Sequence, residues 1–163
     1  RATDPKIATL EEMFRLIAGR CGVVLDIKDS AIPKGQLKEV VDSTHTGEVY
    51  LTAARRSYLA DSVEELDWPR VVQCRTATRS QIDAAIAHCR PKVIDIWSPC
   101  LSPDKVAYVK DRGLDFVPGA IVKPFSRLGE SPSKIRQYVR HGALYVLTFD
   151  PPRVKDILDS MAI

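Results

Sequence analysis

Hydrophobic and polar positions along the chain switch repeatedly between two periods. Short runs alternate every second residue, as in a strand, and longer runs return every third or fourth, as in a helix. Thr9 to Ile17 has the helical period, with Leu10, Met13, Phe14 and Ile17 as its apolar stripe. Thr9 is placed to cap it, Glu12 completes a capping box, and Gly19 marks the stop. Gly22 to Asp29 then has the strand period. Val23, Leu25 and Ile27 fall on one face, and Val24, Asp26 and Lys28 on the other.

The alternation continues to the end of the chain. A helix is predicted over 36–42, a strand over 48–53, a helix over 58–66 and a strand over 71–75. Ser80 is placed to cap a helix over 81–89, and 92–97 forms the fourth strand. Ser102-Pro103 opens a helix that stops near Gly113. A fifth strand starts at Leu114, with Pro118 awkward in its interior and a restart expected at Ala120. Residues 125–131 read as an inserted loop, 132–140 as a helix, 144–149 as a sixth strand and 153–161 as a last helix.

Strands that alternate strictly with helices predict a parallel sheet with right-handed crossovers. An open doubly wound sheet and part of a (β/α)8 barrel both fit. No G-x-G-x-x-G or P-loop stands at any strand-to-helix turn, which weakens a nucleotide-binding open sheet.

Composition narrows the class further. The 163 residues suffice for one domain with a substantial core, and a single domain over 1–163 is expected. With 45% hydrophobic and 28% charged residues, the chain is an ordinary globular one. A formal charge of +3, evenly mixed with acids, argues against nucleic acid as a partner. No apolar run reaches membrane-spanning length. Cys21, Cys74, Cys89 and Cys100 have neither C-x-x-C nor zinc spacing, which fits buried thiols in a reducing cytoplasm. His45, His88 and His141 fall in loops or helices, and none reads as catalytic. The start, Arg1-Ala2-Thr3-Asp4, has no initiator Met and no signal-peptide core, so a processed product or a fragment is expected.

The candidate chemistry lies late in the strands, where a (β/α) barrel carries its active site. Asp26 and Lys28 end the first strand, and Gln73 and Arg75 the third. Asp95 and Trp97 end the fourth, and Thr148 and Asp150 the sixth. Carboxylates so placed suit a hard divalent metal, Mg2+ or Ca2+, with Asp26 as a ligand. The cations suit an anion. Plainer readings stand beside these: a local Asp26–Lys28 ion pair, Arg75 paired with a helix acid, Trp97 as packing, and Asp150 as a helix cap.

The runs Ile7-Ala8-Thr9-Leu10-Glu11-Glu12 and Arg20-Cys21-Gly22-Val23-Val24-Leu25-Asp26-Ile27-Lys28 resemble the glycerophosphodiester phosphodiesterases. That family has a "P-T-L-E-E" helix before a strand ending "E-I-K". Val93-Ile94-Asp95-Ile96 before a Ser-Pro helix, Asp111-Arg112-Gly113, and a last strand into Asp150-Pro151 follow in the same order. The resemblance implies a TIM-barrel-like α/β fold. It also implies a metal-dependent hydrolase that releases glycerol 3-phosphate and an alcohol, as in lipid metabolism. It makes Asp26 the metal ligand, with Asp standing for Glu, and Lys28 the phosphate contact. Arg75, Trp97, Asp95 and Asp150 join as substrate-binding candidates.

The family's "H-R-G", "E-x-D" and "H-D" elements, which carry its catalytic histidines, have no counterpart here. The chain therefore resembles six of eight βα units, an incomplete barrel. Its missing strands are expected from a longer polypeptide, a partner chain or a homodimer. A barrel relative that binds a phosphoester or a protein without catalysis is the alternative.

Overall fold

Thr9 opens the first helix as its neighbours dictate. Its hydroxyl accepts the Glu12 N–H at 3.2 Å, and the Glu12 carboxylate accepts the Thr9 N–H at 2.8 Å. This computed structural model describes residues 7–44, 47–119, 131–146 and 151–161. They fall into two compact units, Arg1–Arg70 and Val71–Ile163.

The first unit holds α1 (Leu10–Ile17), β1 (Val23–Ile27), α2 (Lys34–Thr44), β2 (Val49–Ala53) and α3 (Arg56–Asp61). β1 and β2 pair in parallel, with Asp26 beside Thr52. Leu25 and Ile27 are buried and Val24 and Asp26 exposed, so β1 has the expected two faces. Gly19 takes a left-handed φ of 68°, and the chain turns there from α1 toward β1.

The second unit holds β3 (Val71–Gln73), α4 (Arg79–Cys89), β4 (Val93–Trp97), a 3₁₀ turn (Ser98–Cys100), α5 (Pro103–Lys110), β5 (Asp115–Gly119), α6 (Pro132–Arg140) and α7 (Pro151–Asp159). Its sheet runs β3-β4-β5, all parallel. β4 is central, and Val93, Ile94 and Ile96 are fully buried. A strand flanked on both sides reads as a continuous apolar run, which β4 does apart from Asp95. Ile135, Val154 and Ile157 join α6 to α7 in a smaller cluster.

Several boundaries depart from the sequence expectation. α2 is a turn longer, at Lys34–Thr44. α3 begins two residues early and ends at Asp61 instead of running to Leu66. The buried Arg70 explains the early end, because its guanidinium donates to the carbonyls of Val63 and Leu66 at 3.1 and 2.9 Å. Those acceptors are satisfied without a further helical turn. α4 is capped by Thr78, not Ser80: the Thr78 hydroxyl accepts the Gln81 N–H at 3.3 Å. α7 starts at Pro151, two residues early, and both prolines sit in the first turn, where no N–H is needed.

Pro118 does not end β5 early. It pairs with Ile96, and a residue without an N–H is tolerated where that group would face away from β4. The restart at Ala120 and the loop over 125–130 lie outside the described residues.

Among the described residues five strands in two parallel sheets are seen, where six strands were expected over the whole chain. Of the sixth segment, Leu144 to Val146 are described and form no strand, although the Leu144 N–H donates to the Phe116 carbonyl of β5 at 3.0 Å. Its remainder, Leu147 to Phe149, lies outside the described residues. The structure thus shows a mixed α/β fold with parallel sheets.

The apolar stripe of α1 is the clearest departure. Only Phe14 is buried, while Leu10 and Met13 are 36 and 46% exposed and Ile17 is half-buried.

Candidate anion-binding site

Asp26 ends the outward face of β1, and Lys28 follows two residues on. The Lys28 ammonium meets the Asp26 carboxylate at 2.5 Å, and both side chains face solvent. The local ion pair is therefore formed. At this exposure such a pair contributes little to stability. It occupies one of the two carboxylate oxygens, Oδ2.

Among the described residues no group of three His, Cys, Asp or Glu side chains could hold a metal ion. Asp26 would supply one ligand only. The described residues do not fit a complete divalent-metal site. Asp150 lies outside them.

The second unit gathers the other candidates. Parallel pairing puts Gln73, Asp95 and Val117 in one row across the sheet. Trp97 and Gly119 make the next row toward the C-terminal ends. Side chains two apart share a face, so Asp95 and Trp97 point the same way.

Asp95 is 92% buried, since only 8% of it is exposed. Its carboxylate lies over Gly119: a Cβ built there would meet Oδ1 at 2.1 Å. Gly119 has an ordinary backbone conformation, so the glycine answers a demand for space.

Arg75 stands just past β3. Its guanidinium lies over the half-buried Trp97 ring, 4.7 Å from the centroid. That is a cation–π distance, worth about 0.5–1 kcal/mol at an exposed site. No carboxylate of the described residues lies within ion-pair distance of it. Among the described residues, the helix acid considered as its partner is not there. Stacking holds the guanidinium plane against the ring and leaves its edge N–H groups for a planar or tetrahedral anion.

The turn that presents Arg75 is tightly built. The Ala77 N–H donates to the Cys74 carbonyl at 2.9 Å. Ala77 takes a left-handed φ of 48° while buried. A side chain in that region costs about 1–2 kcal/mol, so the surroundings must hold it there. The Thr76 hydroxyl bonds the Gln81 side chain at 2.8 Å. The Lys105 ammonium donates to the Thr76 carbonyl at 2.6 Å and to the Cys100 carbonyl at 2.8 Å.

Sequence reasoning missed Lys105, Ala77 and Gly119. Lys105 carries one faint signal. It stands in the first turn of α5, where a cation opposes the helix dipole. No local pattern flags Ala77 or Gly119, because each answers to a neighbour distant in sequence.

The four cysteines are all free thiols, with Cys74 and Cys89 buried. His88 sits exposed in the last turn of α4, and His141 is the C-cap of α6. No helix among the described residues is long and apolar enough to cross a membrane.

The chain matches no protein-family model and no curated protein sequence. Its fold is similar to two solved structures, both provisionally assigned as glycerophosphoryl diester phosphodiesterases. The protein from Silicibacter pomeroyi DSS-3 superposes with a TM-score of 0.73 at 18% identity, over 94% of this chain and 57% of that one. The protein from Agrobacterium tumefaciens C58 gives 0.72 at 19% identity, over 95% of this chain and 65% of that one. The chain thus spans somewhat under two thirds of the length of either. The resemblance read from the sequence is matched at the level of the fold.

Proposed function

We propose that this chain is the phosphate-binding part of a glycerophosphodiester hydrolase, a larger or oligomeric protein that releases glycerol 3-phosphate and an alcohol. The observation that carries the reading is Arg75, stacked on Trp97 without a carboxylate partner among the described residues. A guanidinium so fixed offsets the charge of a phosphodiester and the charge that develops during its hydrolysis. The shared fold with the two phosphodiesterase structures supports the same substrate class.

Metal dependence belongs to this proposal through Asp26 alone. No step is assigned to a Mg2+ or Ca2+ ion, because the described residues supply no complete site for one.

A second reading, a barrel relative that binds a phosphoester without turning it over, is supported by the places of the two described histidines. General acid–base work needs a proton-transfer group at the reacting atoms. His88 and His141 instead occupy helix ends.

One experiment separates the two. The full-length gene product is assayed on glycerophosphocholine and bis-p-nitrophenyl phosphate, with and without divalent metal, beside Asp26→Ala and Arg75→Ala. Turnover that Arg75→Ala cuts by about tenfold or more, as loss of a charged contact should, supports the hydrolase. Binding of glycerol 3-phosphate without turnover supports the second reading. Neither turnover nor binding refutes both.

A further inference from the structure

Lys105 makes two contacts that its place in the chain does not require. A lysine in the first turn of a helix faces the unfavourable end of the helix dipole. It would ordinarily extend into water. Here the ammonium bridges two carbonyls from different connections, Thr76 at 2.6 Å and Cys100 at 2.8 Å. Thr76 follows Arg75 directly. Cys100 ends the 3₁₀ turn that follows Trp97 directly. The two loops tied together are therefore the two that carry the stacked pair.

We propose that Lys105 is a positioning residue that holds the guanidinium of Arg75 on the Trp97 ring, an inference that rests on the anion-binding reading of that pair. The physical reason is preorganisation. Arginine has several rotatable bonds, and fixing it only when the anion arrives consumes binding free energy. The turn at Arg75 also holds Ala77 in a left-handed conformation. A strained turn relaxes unless something else holds it, and the Thr76 carbonyl, one residue before Ala77, is where Lys105 takes hold. Two charge-assisted hydrogen bonds from one ammonium suit that task. The third N–H of Lys105 remains for water or for the anion's own oxygen.

The test uses the 15N-labelled chain, with inorganic phosphate and sn-glycerol 3-phosphate as probes. The Trp97 indole N–H is assigned through Trp97→Phe, and the Arg75 Nε–H through Arg75→Lys. In the free protein the Arg75 resonances should carry an upfield ring-current shift from Trp97. Lys105→Met should abolish that shift and weaken phosphate binding about tenfold. Lys105→Arg, which can still reach both carbonyls, should restore both.

A merely structural lysine would lower the melting temperature in Lys105→Met and leave the ring-current shift and the affinity of the folded protein unchanged. That result overturns the proposal. If Lys105→Met does not fold, Lys105→Gln is read by the same two signals. If phosphate produces no change that Arg75→Ala removes, the anion reading fails by itself. The ring-current shift in the free protein then still decides whether Lys105 positions Arg75.

Discussion

Replacing Gly119 by alanine tests the most crowded contact in the second unit. The added methyl would sit 2.1 Å from Asp95 Oδ1 and 3.1 Å from Cγ, where ordinary contact begins at 3.4 Å. The shortfall exceeds 1 Å. Gly119 contributes little relief, because its backbone is paired with Trp97 along β4. Asp95 contributes little either, because its backbone lies in the central strand between β3 and β5. Only the Asp95 side-chain torsions can give.

An off-rotamer torsion costs about 1 kcal/mol. Overpacking a tight site costs about 1–3 kcal/mol. Alanine returns about 0.4–1 kcal/mol by restricting the unfolded chain. The net expected loss is about 2 kcal/mol.

Urea denaturation followed by circular dichroism measures it. With a slope of about 2 kcal/mol/M, the midpoint should fall by about 1 M at unchanged slope. Asp95→Ala removes the obstructing carboxylate. In that background Gly119→Ala should cost close to nothing, giving a coupling energy of about 2 kcal/mol. A single variant within about 0.5 kcal/mol of wild type, the range of an innocuous surface change, would refute the reasoning. So would the same loss in both backgrounds.

Three further outcomes follow from other contacts. Phe14→Ala should cost about 3 kcal/mol or more, while Met13→Ala on the same helix should stay within about 0.5 kcal/mol, since Phe14 is buried and Met13 is 46% exposed; equal losses in a urea titration would contradict the exposed face of α1. Ala77→Gly should leave the urea midpoint nearly unchanged, since relief of about 1–2 kcal/mol of left-handed strain offsets about 0.8 kcal/mol for one lost buried methyl and about 0.4–1 kcal/mol from a freer unfolded chain; a loss well above 1 kcal/mol would show that the turn is not strained. Lys34 is held protonated above its ordinary 10.5, chiefly by its hydrogen bond to Glu65. Its contribution is therefore complete below about pH 10.5 and fades as pH rises through the folded-state value. Glu65→Gln should remove that alkaline fall, and a melting-temperature profile from pH 8 to 11.5 would show whether it does.

The sequence alone determined the local elements. The capping box at Thr9, the period-two face of β1 and the Ser-Pro start of α5 rest on neighbours within four residues. Such signals survive whatever the distant packing. The parallel α/β class followed from their alternation, and the fold bears it out in both sheets. The candidate residues were legible because charged groups late in an apolar strand stand out.

Tertiary structure decided how those residues are used. Asp26 binds Lys28, Arg75 lies on Trp97 and not on an acid, and Asp95 fills the space Gly119 leaves. Lys105 reaches back about thirty positions to the Thr76 carbonyl. It also decided that α1 buries Phe14, half-buries Ile17 and leaves Leu10 and Met13 exposed, although periodicity gave all four positions equal standing. The physical reason is one of range. Caps and alternation are fixed by backbone geometry and near neighbours, whereas stacking, crowding and burial depend on which surfaces the fold brings to each side chain.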